Sequence, residues 1–430
     1  MKRHVVAVVG GAVAGSEAAS LFAQRGALVV VFEQGRRPFG KIEDGLPRWH
    51  EKLREKEYAR IQENLDDPNI RFVPNTRIGT DVPLADLQAQ GFSAIVLANG
   101  AWRDRPLPVE GIERFVDQGL VYQNPFVHWF NHAHESDYDG PTFETPEGAL
   151  VVGGGLASVD VVKILSLTTH VEALKERGVD ADIVELEQRG IPKWCAANDI
   201  DVDSLAVEPP RLFYRRRMED MPLASAPPGA DEAKLAKVRG ARIKIMQRVI
   251  DRYRVAFHPL RVPEGVLEDN GRLTGLRFAV TQIVGGRVKP TGETEDVHGP
   301  LVISSIGSVP EGIEGIPMKG ELYDFANWDT GEVRGLPGVF GLGNVLTGKG
   351  NIKDSRINAQ DIVQGVLEGY LSEEEADQAL AKAHEDVREK AKPVVDAALT
   401  TPTVDEAGIE AFVKDRWAAV GYADLKSWLG

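Results

Sequence analysis

Two short stretches carry the residue types and spacing for holding a phosphate. In VVGGAVAGSE (residues 8–17), Gly10, Ala12 and Gly15 recur at intervals of two and three; in VVGGGLASVD (residues 151–160), Gly153, Gly155 and Ser158 repeat the pattern. Each stretch begins with an apolar, β-branched run and opens into helix formers. In a strand–turn–helix of this kind the first small residue permits the tight bend and the second lets the backbone approach a pyrophosphate. The third lets the helix pack against the strand. The start of the helix then presents N–H groups and partial positive charge to the phosphates. Ala12 stands where glycine is usual and narrows that approach.

The residues downstream of each turn differ chemically. The second apolar run, VVVFEQ, ends at Glu33, a carboxylate placed to accept hydrogen bonds from ribose hydroxyls. No such acid comes after the second turn. Instead, LFYRRRMED sets Arg215, Arg216 and Arg217 just past a strand. Guanidinium groups bind the oxygens of a 2′-phosphate bidentately, so the second dinucleotide is expected to be NADP(H) rather than NAD(H). The competing reading of the triplet is a solvated surface run.

The elements that must position these residues are legible as alternation. HVVAVVG, ALVVVFE, IRFVPN and AIVLANG read as strands separated by helical stretches, the pattern of parallel α/β layers. It restarts at GALVVGGG and passes a helical, acidic insertion near 170–205. Between 256 and 306, Gly- and Asn-punctuated β runs predict an antiparallel meander. LPGVFGLGNV then gives strand and glycine-rich loop, with Gly343 in the loop, and a further helix comes next. After about residue 371 the chain is charged and helical. The 430 residues carry a net charge of −15, which argues against wholesale nucleic-acid binding and against docking on an acidic membrane. A single cysteine, Cys195, excludes an intrachain disulfide, a CxxC pair and a cysteine-ligated iron–sulfur cluster supplied by this chain. The apolar run after MKRH is short and broken by Gly10 and Gly11, fitting a buried strand better than a signal peptide. No segment approaches the length of a membrane span, and a cytoplasmic location is expected.

In the order of its motifs the chain resembles the adrenodoxin reductase family of NADPH–ferredoxin reductases, which are FAD flavoproteins. The likeness includes RRPFGKIEDGLPRWH, AIVLANGA, NPFVHWFN, the two glycine turns, YRRR, PTGETEDVHGPLVISSIG and LPGVFGLGNV. The resemblance implies an α/β fold of two Rossmann-like domains, with a discontinuous FAD domain (1–113 and 304–371) and an NADP domain (114–303) inserted in it. A helical C-terminal extension at 372–430 has no counterpart. It further implies FAD contacts at Ala14, Glu33, Lys41, Ile78, Asn344, Gly350, Asn351 and Ile352. NADP contacts would fall on Gly154, Gly155, Leu156, Ala157, Arg215 and Arg216. His50 matches a family histidine near the nicotinamide, where it would orient the ring or shuttle a proton; a helix-surface histidine is the equal alternative. His128 and His132 have no partner visible in sequence and are assigned no role. Trp49 and Trp129 are expected to be core residues.

The activity so implied takes hydride from NADPH and passes electrons singly to an acidic ferredoxin or flavodoxin-like carrier. The basic helix around KLAKVRGARIKIMQRVIDRYR is the expected dock. Three departures lie near the expected flavin and nicotinamide: Asn344 for a family tryptophan, Lys41 for leucine, and GKGN for Gly-Pro-Thr-Gly. They motivate an alternative, an NAD(P)H-dependent flavoprotein that reduces a small quinone or organic substrate, or the reductase subunit of a larger redox complex.

Overall fold

The computed structural model describes residues 3–227, 229–348, 350–371 and 405–429. It divides into two compact units: residues 1–43, 51–103 and 309–430 form the first, and residues 44–50 with 104–308 the second. In chain order the first unit carries β1 (Val5–Val9), α1 (Val13–Gln24), β2 (Leu28–Phe32), α2 (Glu51–Leu65), β3 (Ile70–Val73) and β4 (Ala94–Leu97). The second carries β5 (Leu120–Tyr122), α3 (Gln123–His132), β6 (Leu150–Gly153), α4 (Leu156–Glu176), β7 (Arg211–Tyr214), α5 (Glu232–Tyr253) and β8 (Ala256–Pro259). It continues with β9 (Arg261–Asp269), β10 (Arg272–Val284), β11 (Arg287–His298) and β12 (Val302–Ser305). The first unit resumes with β13 (Phe325–Asn327), β14 (Glu332–Val333), β15 (Val339–Gly341), α6 (Asn344–Thr347) and α7 (Ile352–Gly365). It ends with α8 (Glu406–Val420) and α9 (Leu425–Leu429).

The first unit is built on a seven-stranded sheet in the order β13-β14-β15-β4-β1-β2-β3. Its central strands are parallel, and every residue of β1, β2 and β4 is buried, which is why they read as unbroken Val/Ile/Leu runs rather than alternating ones. The second unit has a five-stranded parallel sheet, β5-β12-β6-β7-β8, and the antiparallel ribbon β9-β10-β11 that the punctuated run predicted.

The two parallel sheets share one connectivity. From β1 the chain builds outward through β2 and β3, then crosses back to lay β4 on β1's other side. From β6 it builds through β7 and β8, then returns to lay β12 on β6's other side. Strand order reverses beside β1 and beside β6, and in open α/β sheets ligands bind past the carboxyl ends of the strands at that reversal. Both glycine turns stand there.

Of the tail, residues 372–404 lie outside the described residues. Residues 405–429 belong to the first unit, with Ile409 and Val413 buried in its core.

Candidate functional site

In the first unit, β1 runs into Gly10 at φ +101°, where a Cβ would stand 2.6 Å from the carbonyl oxygen of Ala98. At Gly15 a Cβ would lie 1.8 Å from the carbonyl oxygen of Gly10, so α1 presses directly on the turn that precedes it and only glycine fits. Ala12 begins α1 in extended geometry. Its methyl faces Gly40, whose own Cβ would come within 2.9 Å of it. The crowding expected of Ala12 is thus absorbed by a glycine elsewhere in the unit, which the sequence pattern did not signal. Gly343, at φ +68°, leads into α6 and brings that helix start against Ala14, since a Cβ there would sit 2.8 Å from the Ala14 methyl. Glu33, 6% exposed, accepts from the Gly11 N–H at 2.7 Å and the Gly35 N–H at 2.9 Å. These bonds fix the carboxylate at the end of β2.

The structure gathers Gly10, Ala12, Ala14, Gly15, Gly343 and Asn344 around one end of the sheet. The other positions expected to contact FAD are more dispersed. Lys41 opens the short helix Lys41–Asp44, with its ammonium 5.6 Å from the Trp102 ring centre. Ile78 is buried in the core. Asn351 caps α7 by accepting from the Asp354 N–H, Ile352 is the first residue of that helix, and Gly350 lies beside the Asn344 amide. Two polar atoms at this end test whether a cofactor fits. The side-chain oxygens of Asn99, just past β4, and Asn344, just past β15, are buried without a hydrogen-bond partner among the described residues. Buried acceptors ask for a donor, and a hydroxyl- and imide-bearing group such as FAD supplies donors. The residues present therefore fit FAD; Glu33 would hold its ribose and the α1 N-terminus its pyrophosphate.

The second turn is built differently. A Cβ on Gly153 would meet the Ser305 carbonyl oxygen at 2.4 Å and the Ser158 side chain at 2.7 Å, so Ser158 occupies the close-packed third position. Its hydroxyl donates to the Gly155 carbonyl at 2.7 Å. Gly154 makes room for the Tyr214 ring, which would stand 2.1 Å from its Cβ. Gly155 caps α4 and has nothing within 4 Å of where a Cβ would point. Leu156, the first residue of α4, is 54% exposed, and Ala157 comes next. The first N–H groups of this 21-residue helix thus open to an anion.

Past β7, the three arginines separate. Arg217 is engaged by Asp220 and Glu219, each at 2.9 Å. Burial works to raise the Asp220 carboxyl, and the Arg217 guanidinium outweighs it and holds the group below the usual carboxylate range. Arg216 donates to the Gly286 carbonyl at 3.2 Å, and Arg215 is exposed.

His50 closes a partly buried ionic chain in the same unit. Its Nε2 is 3.5 Å from Asp160 Oδ1, an ion-pair distance rather than a well-formed hydrogen bond. Lys163, one turn further along α4, lies 3.9 Å from Asp160 and 2.6 Å from Glu187, and its ammonium is 4.7 Å from the Trp49 ring centre and 4.9 Å from that of Tyr253. Trp49 itself packs in the core against Phe130. Sequence reasoning missed Asp160, Lys163 and Glu187. The available signal was the pair of charges in VDVVKIL, in an otherwise apolar helix.

Comparisons with known proteins agree with this geometry. Residues 4–192 match the family described as pyridine nucleotide-disulphide oxidoreductase. The chain is 24% identical over 412 residues to the mitochondrial NADPH:adrenodoxin oxidoreductase of Arabidopsis thaliana, a match spanning 84% of this chain and 81% of that one. It is 26% identical over 386 residues to the same enzyme of Mus musculus, spanning 80% and 74%. In fold it is similar to Mycobacterium tuberculosis FprA in complex with NADPH, with a TM-score of 0.66 and 22% identity, covering 88% of this chain and 89% of that one. With two dinucleotide-binding units, their turns at the strand-order reversals, and matches along most of its length, the chain is similar to the NADPH:adrenodoxin oxidoreductases in sequence and to FprA in fold.

Proposed function

We propose that this protein takes reducing equivalents from NADPH onto FAD and passes them to an acidic, ferredoxin-type electron carrier. The observation that carries the reading is the chemical asymmetry of two otherwise equivalent turns. One strand ends in a fixed carboxylate, Glu33, suited to a ribose diol. The other ends in Arg215 and Arg216, suited to a 2′-phosphate. When bound, FAD accepts a hydride and gives up electrons one at a time, which a nicotinamide does not.

The chain's own contribution is binding and orientation. Gly10, Gly15 and the start of α1 receive one pyrophosphate; Gly154, Gly155, Leu156 and Ala157 receive the other through main-chain N–H groups. His50, held against Asp160, orients the nicotinamide or relays a proton. The partner's acidic character is inferred from α5. Lys234, Lys237, Lys244 and Arg248 are exposed and, at about 100° per residue, fall within a stripe about 80° wide. Arg239 pairs with Glu232, and two other basic residues there turn inward: Arg242 donates to the Ala224 and Glu219 carbonyls, and Arg252 to those of Glu187 and Gln188. A cytoplasmic location belongs to the same proposal. It is compatible with the absence, among the described residues, of any helix long and apolar enough to cross a membrane.

The test is an anaerobic titration of the purified yellow protein with NADPH and with NADH, then addition of oxidised ferredoxin. The proposal expects bleaching at lower NADPH than NADH and reoxidation by ferredoxin. Bleaching reversed only by a small quinone would favour the small-substrate reductase, and a colourless protein that takes up no FAD would overturn both.

A further inference from the structure

Outside the dinucleotide sites, the described residues contain one cluster with metal-ligand chemistry. His128 and His132 are four residues apart on α3, so both rings stand on one helix face, with centroids 4.5 Å apart. Asp44, the last residue of the short helix Lys41–Asp44, faces both: its Oδ1 is 3.4 Å from His128 Nδ1 and 3.0 Å from His132 Nε2. All three donor atoms lie within 4.8 Å of one another. Bonds of about 2.0 Å at tetrahedral angles place neighbouring ligand atoms about 3.3 Å apart, and the two measured carboxylate–imidazole separations bracket that value.

A second shell is also in place. The other ring nitrogen of His132, Nδ1, lies 3.0 Å from Glu135 Oε1. A metal-bound imidazole characteristically donates its outer N–H to a carboxylate. If Nδ1–H donates to Glu135, the neutral ring aims the Nε2 lone pair at the oxygen of Asp44. Two acceptors so placed repel unless a cation or a proton lies between them. The backbone that presents Asp44 is held as well. Asn131, 2% exposed, accepts from the Arg48 N–H at 3.0 Å and donates to the Leu46 carbonyl at 3.1 Å, clamping residues 46–48 to the end of α3.

We infer that Asp44, His128 and His132 bind a divalent transition metal, Zn2+ in the first instance, with solvent completing its coordination. Two imidazoles and one carboxylate suit zinc and its neighbours and disfavour Mg2+ or Ca2+, which prefer all-oxygen sites. The His128 and Asp44 side chains are 44% and 28% exposed, which leaves an entry path and an open coordination face, whereas His132 is 8% exposed and anchors the site. The metal would fasten residues 44–50, the segment that carries His50, to α3.

The experiment uses the full-length, FAD-loaded protein without a histidine tag, stripped with a chelator and titrated with Zn2+ in competition with a chromophoric chelator. One equivalent should bind. Asp44→Asn and His128→Ala should each weaken binding at least about 100-fold, because a direct ligand is lost, and Glu135→Gln about 10-fold, as loss of an outer-shell partner does. His128 is partly exposed and Asp44→Asn conserves shape, so both variants should retain flavin absorbance and native circular dichroism. Co2+ in place of Zn2+ should give ligand-field bands that His128→Ala removes. Binding of less than one equivalent, or equal Zn2+ affinity in wild type, Asp44→Asn and His128→Ala, would overturn the site. Because the readout is metal bound, it stands or falls separately from the electron-transfer reading.

Discussion

The two glycine turns occupy the same topological place and share a first glycine pressed against a main-chain carbonyl oxygen, Gly10 on Ala98 and Gly153 on Ser305, but differ in tolerance at the positions that follow. In the first, the required small residues face backbone: Gly10 against Ala98, Gly15 against Gly10, with Ala12 accommodated by Gly40. In the second, the close-packed third position is a serine, and Gly155 at the start of α4 looks into open space. The first turn is the more tightly packed and stands beside Glu33 at the end of β2; the second is the more open, with Arg215 and Arg216 past its neighbouring strand. A tightly held prosthetic group and an exchangeable coenzyme call for that contrast, since binding that must reverse each turnover gains nothing from a closed cradle.

The sharpest way to break the comparison is a methyl group placed in each turn. Gly15→Ala should abolish FAD retention and yield a colourless or insoluble protein, because no side-chain motion relieves a 1.8 Å overlap with a main-chain oxygen. Gly155→Ala should fold and stay yellow, with KM for NADPH raised no more than about 10-fold, the effect of roughly 1.4 kcal/mol. Flavin absorbance and steady-state kinetics on both variants check this, and equal behaviour would erase the distinction. The Arg215→Ala, Arg216→Ala double variant comes next. Losing two charge-assisted contacts of about 1.5 kcal/mol each should raise KM for NADPH about 100-fold while leaving NADH nearly unchanged. A parallel rise for NADH would move the 2′-phosphate elsewhere.

A third contrast lies in the helices behind the turns. Glu17 in α1 is buried and paired with Arg60 and Arg356, whereas α4 buries Lys163 against Glu187. Burial works to raise the Glu187 carboxyl, and the Lys163 charge with hydrogen bonds from Lys163 and Tyr253 outweighs it, leaving the group below its ordinary range. Its stabilisation is therefore complete above the ordinary glutamate pKa and is lost as pH falls through the lower folded value. Glu187→Gln should cost about 3 kcal/mol at pH 7, and the gap from wild type should narrow in acid; thermal unfolding monitored across pH 3–7 checks the sign. The smallest effect is expected at the α5 stripe. Lys237→Glu with Lys244→Glu should slow ferredoxin reduction several-fold at low salt and little at high salt, leaving NADPH-dependent bleaching intact.

Much of this was legible in the sequence because it is local. A buried parallel strand, a tight turn and a helix start are each fixed within a dozen residues, and Glu33 ends its strand in the same window. The unread parts depend on chain segments far apart. His128 and His132 stand in helical register in HWFNH, but Asp44, 84 residues before His128, reveals what they face only once the chain has folded. The compensation at Ala12 needed Gly40, and the role of Asp160 needed His50. The arginine triplet read as three equivalent groups, because nothing in YRRRMED says that Glu219 and Asp220 fold back onto the last of them. The tail had no recognisable counterpart, yet Ile409, Val413 and Trp417, spaced four apart, already mark an apolar helix face.

That face has a structural consequence. β3 is the outermost strand of the seven-stranded sheet. Trp417 donates its indole N–H to the main-chain carbonyl of Phe72 in that strand at 2.7 Å, and Arg71 pairs with Glu410 at 2.8 Å. The last helices thus act as a guard rail along an open β border, where a bare row of amides would invite a second chain to zip on. Beside it, Arg416 reaches Thr76 and Trp428 reaches the carbonyl of Arg36, the latter close in sequence to Glu33, the acid proposed to hold the first dinucleotide. A chain cut after residue 371 would lose the fence and the outer brace of that pocket together, so self-association and shedding of the yellow group should arrive as one phenotype.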